Sequence, residues 1–163
     1  MFDLIVSNPL TITSFDVNLA NGLEKEIFVY YKSGTYAGFE LNSAAWTLLG
    51  SATVTSAGSD VPTALPVGGL FLTAGTYGLF VTTDGSTASA IRYTNGATST
   101  SDGNLEITAG VGTAVPFVDA PITDRIWNGT IYYNVGSDVP EPATWSMGVA
   151  ALLAGVVLRR RRI

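Results

Sequence analysis

Carboxylates are the main side chains in this sequence with chemistry to offer. Glu24, Glu26, Glu40 and Glu106 are the glutamates of the first 138 residues, and glycoside hydrolysis needs two carboxyls about 5 to 10 Å apart, one as acid and one as nucleophile or base. None of the four stands in a recognisable motif, and solvated strand edges and loops are the ordinary place for such residues. Asp102 and Asn104, spaced D-x-N, offer the hard oxygen ligands that suit calcium, although the full D-x-D-x-D-G pattern is absent. With no histidine and no cysteine in 163 residues, the chain lacks the side chains for Ser-His-Asp and Cys-His catalysis and for the usual zinc and haem ligand sets. A non-enzymatic protein without cofactor is therefore expected, with a carbohydrate-active enzyme using paired carboxylates as the alternative.

Aromatic residues carry the binding alternatives. Tyr31, Tyr36 and Trp46 could form a flat platform on which sugars stack. Core packing is the commoner role for aromatics in strands, and Trp46, Trp127, Phe28, Tyr30, Phe80 and Phe117 are the large residues expected to fill the space between two sheets. Threonine pairs such as Thr11 with Thr13 and Thr53 with Thr55 could line an ice-binding face, but strand propensity already accounts for them. The sequon Asn128-Gly129-Thr130 falls inside an expected strand and reads as coincidental.

The elements that must position these residues are β-strands. Short runs rich in Val, Ile, Thr, Tyr and Phe predict strands at Phe2–Val6, Leu10–Leu19, Glu26–Lys32, Trp46–Thr55, Leu70–Thr73, Thr76–Thr83, Ala90–Tyr93, Leu105–Thr108 and Trp127–Asn134. Asn21-Gly22, Asp84-Gly85, Asn95-Gly96 and Asp102-Gly103 tolerate positive φ and favour tight turns, while Pro62 and Pro66 mark a loop. In the run LTITSFDVNL the apolar phase switches from Leu10 and Ile12 to Phe15, Val17 and Leu19. A bulge or bend near Thr13 to Phe15 is expected, because a phase switch turns every later side chain to the other face. The fold class is all-β, an antiparallel two-sheet sandwich with jelly-roll-like character over residues 1–136, followed by one C-terminal transmembrane-type helix.

Charge separates the last 25 residues from the rest. Residues 1–138 carry Lys25, Lys32, Arg92 and Arg125 against twelve acids, a balance of −8; residues 139–163 carry four arginines against Glu141, a balance of +3. An acidic body argues against nucleic acid as a partner, since such binding rests on clustered cations. An extended linker is expected over 137–144, where Pro140 and Pro142 fix their own φ and disfavour helix in the residues before them. A hydrophobic helix follows at 145–158 and a basic cytoplasmic tail at 159–163. The uncharged stretch counted from Pro142 would make about 26 Å of helix, slightly under a hydrocarbon core of roughly 30 Å, a shortfall that local thinning or snorkelling accommodates. Trp145 is placed for the headgroup belt, and Arg159, Arg160, Arg161 and Arg162 read as a membrane stop by the positive-inside rule.

Val139-Pro140-Glu141-Pro142-Ala143, a short apolar helix with small residues, and a terminal arginine run, in that order, resemble the PEP-CTERM sorting signal of Gram-negative bacteria. The resemblance covers residues 139–163 and implies export, recognition of Pro140, Glu141 and Pro142 by a membrane-embedded exosortase, removal of the helix, and delivery to the cell surface or extracellular matrix. The body is loosely similar to β-sandwich regions that precede such signals. Its opening, MFDLIVSNPL, holds neither Lys nor Arg and reads as a first strand, so a leader upstream of Met1 is expected. The expectation is an exported surface or matrix protein, inner-membrane anchored through its C-terminal helix before processing, whose sandwich is a non-catalytic binding or structural module associated with exopolysaccharide. An ice-binding or calcium-stabilised adhesion module is a further alternative.

Overall fold

The computed structural model describes residues 1–86 and 90–136. Thirteen strands follow one another: β1 Phe2–Val6, β2 Leu10–Asn18, β3 Glu24–Ser33, β4 Thr47–Thr55, β5 Pro62–Leu65, β6 Leu70–Leu72, β7 Gly75–Thr82, β8 Tyr93–Asn95, β9 Thr100–Ser101, β10 Leu105–Ile107, β11 Gly110–Gly112, β12 Ile122–Trp127 and β13 Gly129–Val135, with a 3₁₀ turn at Ser43–Ala45 before β4. A six-stranded sheet runs β4-β3-β7-β1-β10-β9. A four-stranded sheet has β2 between β13 on one side and β5 and β6 on the other, and a three-stranded sheet runs β11-β12-β8. The ladders between these strands are antiparallel. The described residues are thus all-β, but six, four and three strands replace the two matched sheets of a jelly roll. Among the described residues no helix is long and apolar enough to cross a membrane; the expected linker, helix and arginine tail lie outside the described residues.

Alternation builds the main core. On β1, Phe2, Leu4 and Val6 turn inward, as do Ile27 and Val29 of β3 and Leu79 and Val81 of β7. They meet Leu10, Ile12, Phe15 and Val17 of β2, Leu65 of β5 and Leu70 and Leu72 of β6 in one cluster. Full burial of each such aliphatic side chain is worth about 1.5 to 3 kcal/mol. The phase switch in β2 is met as expected: Ser14 pairs with Tyr132 and Ile12 with Tyr133, leaving Thr13 as the extra residue of a bulge. Opposite it, the 66–69 connection between β5 and β6 comes so close that a Cβ on Gly68 would stand 2.1 Å from the Thr13 carbonyl oxygen.

The expected aromatic filling is placed differently. Trp46, Phe80, Tyr30 and Phe117 pack together with Met1 and Val111 in a second cluster, and Phe28 stacks beside Tyr30 at 6.4 Å. Phe28, Tyr30 and Phe80 alternate with the inward residues of β3 and β7, so they occupy the opposite face of the six-stranded sheet. Of the six aromatics expected between the sheets, Trp127 alone packs against the main core. A central strand buried on both faces loses the apolar–polar alternation, which is why EIFVYYK and GLFVTT read as unbroken apolar runs. Loop 33–46 covers part of this second face. Lys32 Nζ donates to the Ser33 and Thr35 carbonyls at 2.9 and 2.6 Å, and Trp46 Nε1 donates to the Phe39 carbonyl at 3.0 Å.

Several strands depart from expectation: the one expected over Ala90–Tyr93 is β8 at Tyr93–Asn95, with Ile91 making only an isolated bridge to Leu19. Pro62 opens β5 instead of marking a loop, a place Pro tolerates because the first residue of a strand can do without its N–H. β9, β11 and β12 were not expected: the first two are only Thr-Ser and Gly-Val-Gly, and β12 carries Asp124 at φ 58°. The strand expected over Trp127–Asn134 is two strands, β12 and β13, which pass from the three-stranded to the four-stranded sheet through Asn128.

Candidate functional site

The three-stranded sheet forms one wall of a cavity of about 160 Å³ at its junction with β7. Register decides which side chains reach it. In the β12–β8 pair Trp127 lies opposite Tyr93 and Arg125 opposite Asn95, and residues two apart on a strand share a face. Between Gly110↔Arg125 and Gly112↔Ile122, β12 carries one residue more than β11. The left-handed Asp124 lies at that bulge, a device that re-aims the neighbouring side chain. Arg125 Nη1 curls back to donate to the carbonyls of Thr123 at 2.9 Å and Asp124 at 3.2 Å, and its guanidinium carbon stands 4.8 Å from the centre of the Tyr93 ring, within cation–π range. Trp127 is fixed from behind, stacked on Phe2 at 5.0 Å and edge-on to Phe15 at 6.4 Å.

The polar inventory of this cavity is unusual. Arg125 Nε, Trp127 Nε1 and Thr113 Oγ1 are buried without a hydrogen-bond partner among the described residues, and all three residues line the cavity. Leaving a buried polar group unpaired costs about 1 to 3 kcal/mol each. Arg92 and Arg125, two of the four cationic side chains of residues 1–138, are on its wall, and among the described residues no carboxylate side chain is. Arg92 Nε approaches Asp60 at 3.8 Å with both side chains largely exposed, a weak pairing. The rest of the wall is mixed, with Phe80, Val111 and Ile122 beside Thr82 and Thr83.

The residues singled out from sequence lie elsewhere. Trp46 is 8% exposed, with its ring against Phe80 and Phe117 and its N–H bound to Phe39; its faces are covered and cannot stack a sugar. Tyr31 is half-buried against the main core and Tyr36 against the second cluster, so the three form no exposed platform. Burial, with Asp3 and Glu40 nearby, raises the Tyr36 hydroxyl above its ordinary pKa. Asp102 and Asn104 form a turn lock. One Asp102 oxygen accepts the backbone N–H groups of Asn104 and Leu105, each at 3.0 Å, the other accepts the Tyr133 hydroxyl, and Asn104 Oδ1 accepts Asn8 Nδ2 at 3.1 Å. The Tyr133 hydrogen bond, then the two backbone ones, hold the Asp102 carboxyl below the usual range. Among the described residues no three Asp or Glu side chains converge as a metal group. Glu24 and Glu26 lie on β3 and accept Thr55 and Ser51 hydroxyls of β4 at 3.3 and 2.7 Å, Glu40 lies in the loop after β3 and Glu106 on β10.

Arg125 and Thr113 were not anticipated as site residues, and Trp127 was anticipated only as core. A signal was available in Asp124-Arg125-Ile126-Trp127: an arginine and a tryptophan two apart share a strand face, an odd pairing for a face that is either purely core or purely solvent.

Comparison with known proteins bears on the other end of the chain. Residues 138–162 match the family model of the PEP-CTERM protein-sorting motif. An all-β fold over the described residues is therefore followed by a PEP-CTERM sorting signal over residues 138–162; that signal implies export, surface sorting and processing by an exosortase, a membrane enzyme. No curated protein and no solved structure matches the chain.

Proposed function

We propose that this protein is an exported, non-catalytic binding module of the bacterial surface or extracellular matrix, anchored through its C-terminal segment until an exosortase removes it and associated afterwards with exopolysaccharide. The observation that carries the reading is the match of residues 138–162 to the sorting motif. Pro140, Glu141 and Pro142 serve as recognition residues for the processing enzyme, and Arg159 to Arg162 hold the segment against the cytoplasmic face before the cut. The lack of histidine and cysteine removes most nucleophilic and acid–base machinery, and supports a binding role for the sandwich. Changing Pro140, Glu141 and Pro142 together to alanine tests the sorting half: the unprocessed chain should accumulate in the envelope, and normal release of a shortened chain would refute it. Co-sedimentation of the processed protein with the host's extracellular polysaccharide tests the binding half, and recovery wholly in the supernatant would overturn that part.

A further inference from the structure

The geometry points to the cavity between β7, β8, β11 and β12 as a binding site for a small organic carboxylate. This deepens the binding role proposed above and rests on the sandwich being a binding module. Three features converge. Arg125 Nε–H and Trp127 Nε1–H can only donate, and the Thr113 hydroxyl donates or accepts; all three are buried without a partner among the described residues. A ligand that satisfies them must bring acceptors. Among the described residues the wall holds two arginines and no carboxylate side chain, in a stretch of chain whose charge balance is −8, so an anion is favoured there and a cation is not. The volume of about 160 Å³ is close to that of engineered cavities that admit a single six-membered ring, and the side chains of Phe80, Val111 and Ile122 on its wall suit an organic body better than a bare oxyanion.

A carboxylate meets these terms with two acceptor-only oxygens, one for Arg125 Nε–H and one for Trp127 Nε1–H, while charge assistance strengthens the first bond. Arg125 is held for this task by its Nη1 bonds to Thr123 and Asp124 and by the Tyr93 ring, which leave Nε free. The same chemistry is presented by a free small acid and by the terminal uronic acid of an acidic polysaccharide.

The test is a titration of the isotope-labelled full chain, following the indole N–H resonance of Trp127 by two-dimensional NMR, with benzoate, glucuronate and an oligogalacturonate as probes and benzamide and glucose as neutral counterparts. The resonance is assigned by Trp127→Phe, which removes the donor and keeps a ring on Phe2 and Phe15. Saturable shifts with at least one carboxylate probe are expected, at least tenfold weaker with its neutral counterpart and in Arg125→Gln, and severalfold weaker in Thr113→Val. Asp102→Asn, remote from the cavity, should bind as the parent does. Binding of benzoate or glucuronate without the oligomer supports the site and contradicts its use for polysaccharide. Oligomer binding that Arg125→Gln leaves unchanged places the polysaccharide elsewhere and overturns the site. No shift with any carboxylate at millimolar concentration, or equal shifts with the neutral probes, means the cavity does not select a carboxylate and also overturns it.

Discussion

Replacing Gly68 with alanine should be among the most damaging small changes in the β domain. Its φ is not left-handed, so the cost is steric and can be worked from the surroundings. The added Cβ would lie 2.1 Å from the oxygen, 2.4 Å from the carbon and 2.9 Å from the Cα of Thr13. All three are backbone atoms, which no rotamer change can move. A tolerable carbon–oxygen contact is about 3.3 Å, so the 66–69 connection and the β2 bulge must part by roughly 1.2 Å. The bond from Gly69 N–H to the Ile12 carbonyl, now 2.8 Å, does not survive that displacement, a net loss of about 1 kcal/mol. Strain in the overpacked contact adds about 1 to 3 kcal/mol. The sum is about 2 to 4 kcal/mol, which lowers Tm on the order of 5 to 15 °C in a domain of this size. Gly69→Ala is the control: at φ +84° nothing lies within 4 Å of its Cβ, so only a left-handed backbone term of about 1 to 2 kcal/mol applies. Thermal unfolding followed by circular dichroism should rank Gly68→Ala well below Gly69→Ala. Equal or reversed Tm losses would refute the close approach at the Thr13 bulge.

Other expectations follow from particular contacts. Phe15 is 1% exposed between the two large sheets, and Phe15→Ala should cost about 3 to 5 kcal/mol, read as a lower denaturant midpoint with an unchanged slope. Asp102 has its pKa depressed in the fold, first by the Tyr133 hydroxyl, so its contribution is present above the unfolded value near 4 and is lost as pH falls through the lower folded value. Tyr133 is raised by burial and then by Asp102, so its part is present below about pH 10 and is lost as pH rises through the raised value. Asp102→Asn should therefore flatten the acid limb of a Tm-against-pH curve below about pH 4, and an unchanged limb would exclude the turn lock. Trp46→Phe removes the donor to the Phe39 carbonyl, and loop 33–46 should then exchange its amide hydrogens faster while β2 does not.

Much of the β fold was legible because its strands obey a simple period. β1 follows the expected boundaries, and the bulge at Thr13 was readable because Leu10, Ile12, Phe15 and Val17 can share one core only if an extra residue intervenes. The second face of the six-stranded sheet was misread because Phe28, Tyr30 and Phe80 alternate with equally apolar neighbours, so period alone assigns them no side. β9 and β11 escaped because they are only two and three residues long, too short for a period to show, and the glycines of β11 disfavour strand. The cavity was the least legible feature: Arg125, Trp127 and Thr113 are brought together by a bulge and a sheet junction, and no local pattern encodes either. The sorting motif was the most legible, since Pro140-Glu141-Pro142, the apolar run and the arginines are contiguous and need no fold to be read.

The central claim is that residues 138–162 act as a sorting signal that is removed. Intact-mass spectrometry of the protein recovered from the envelope and from the medium of its native host tests it most directly. The account predicts a mature form that ends near the Pro-Glu-Pro and lacks the arginine run. An intact arginine tail in every fraction would contradict it.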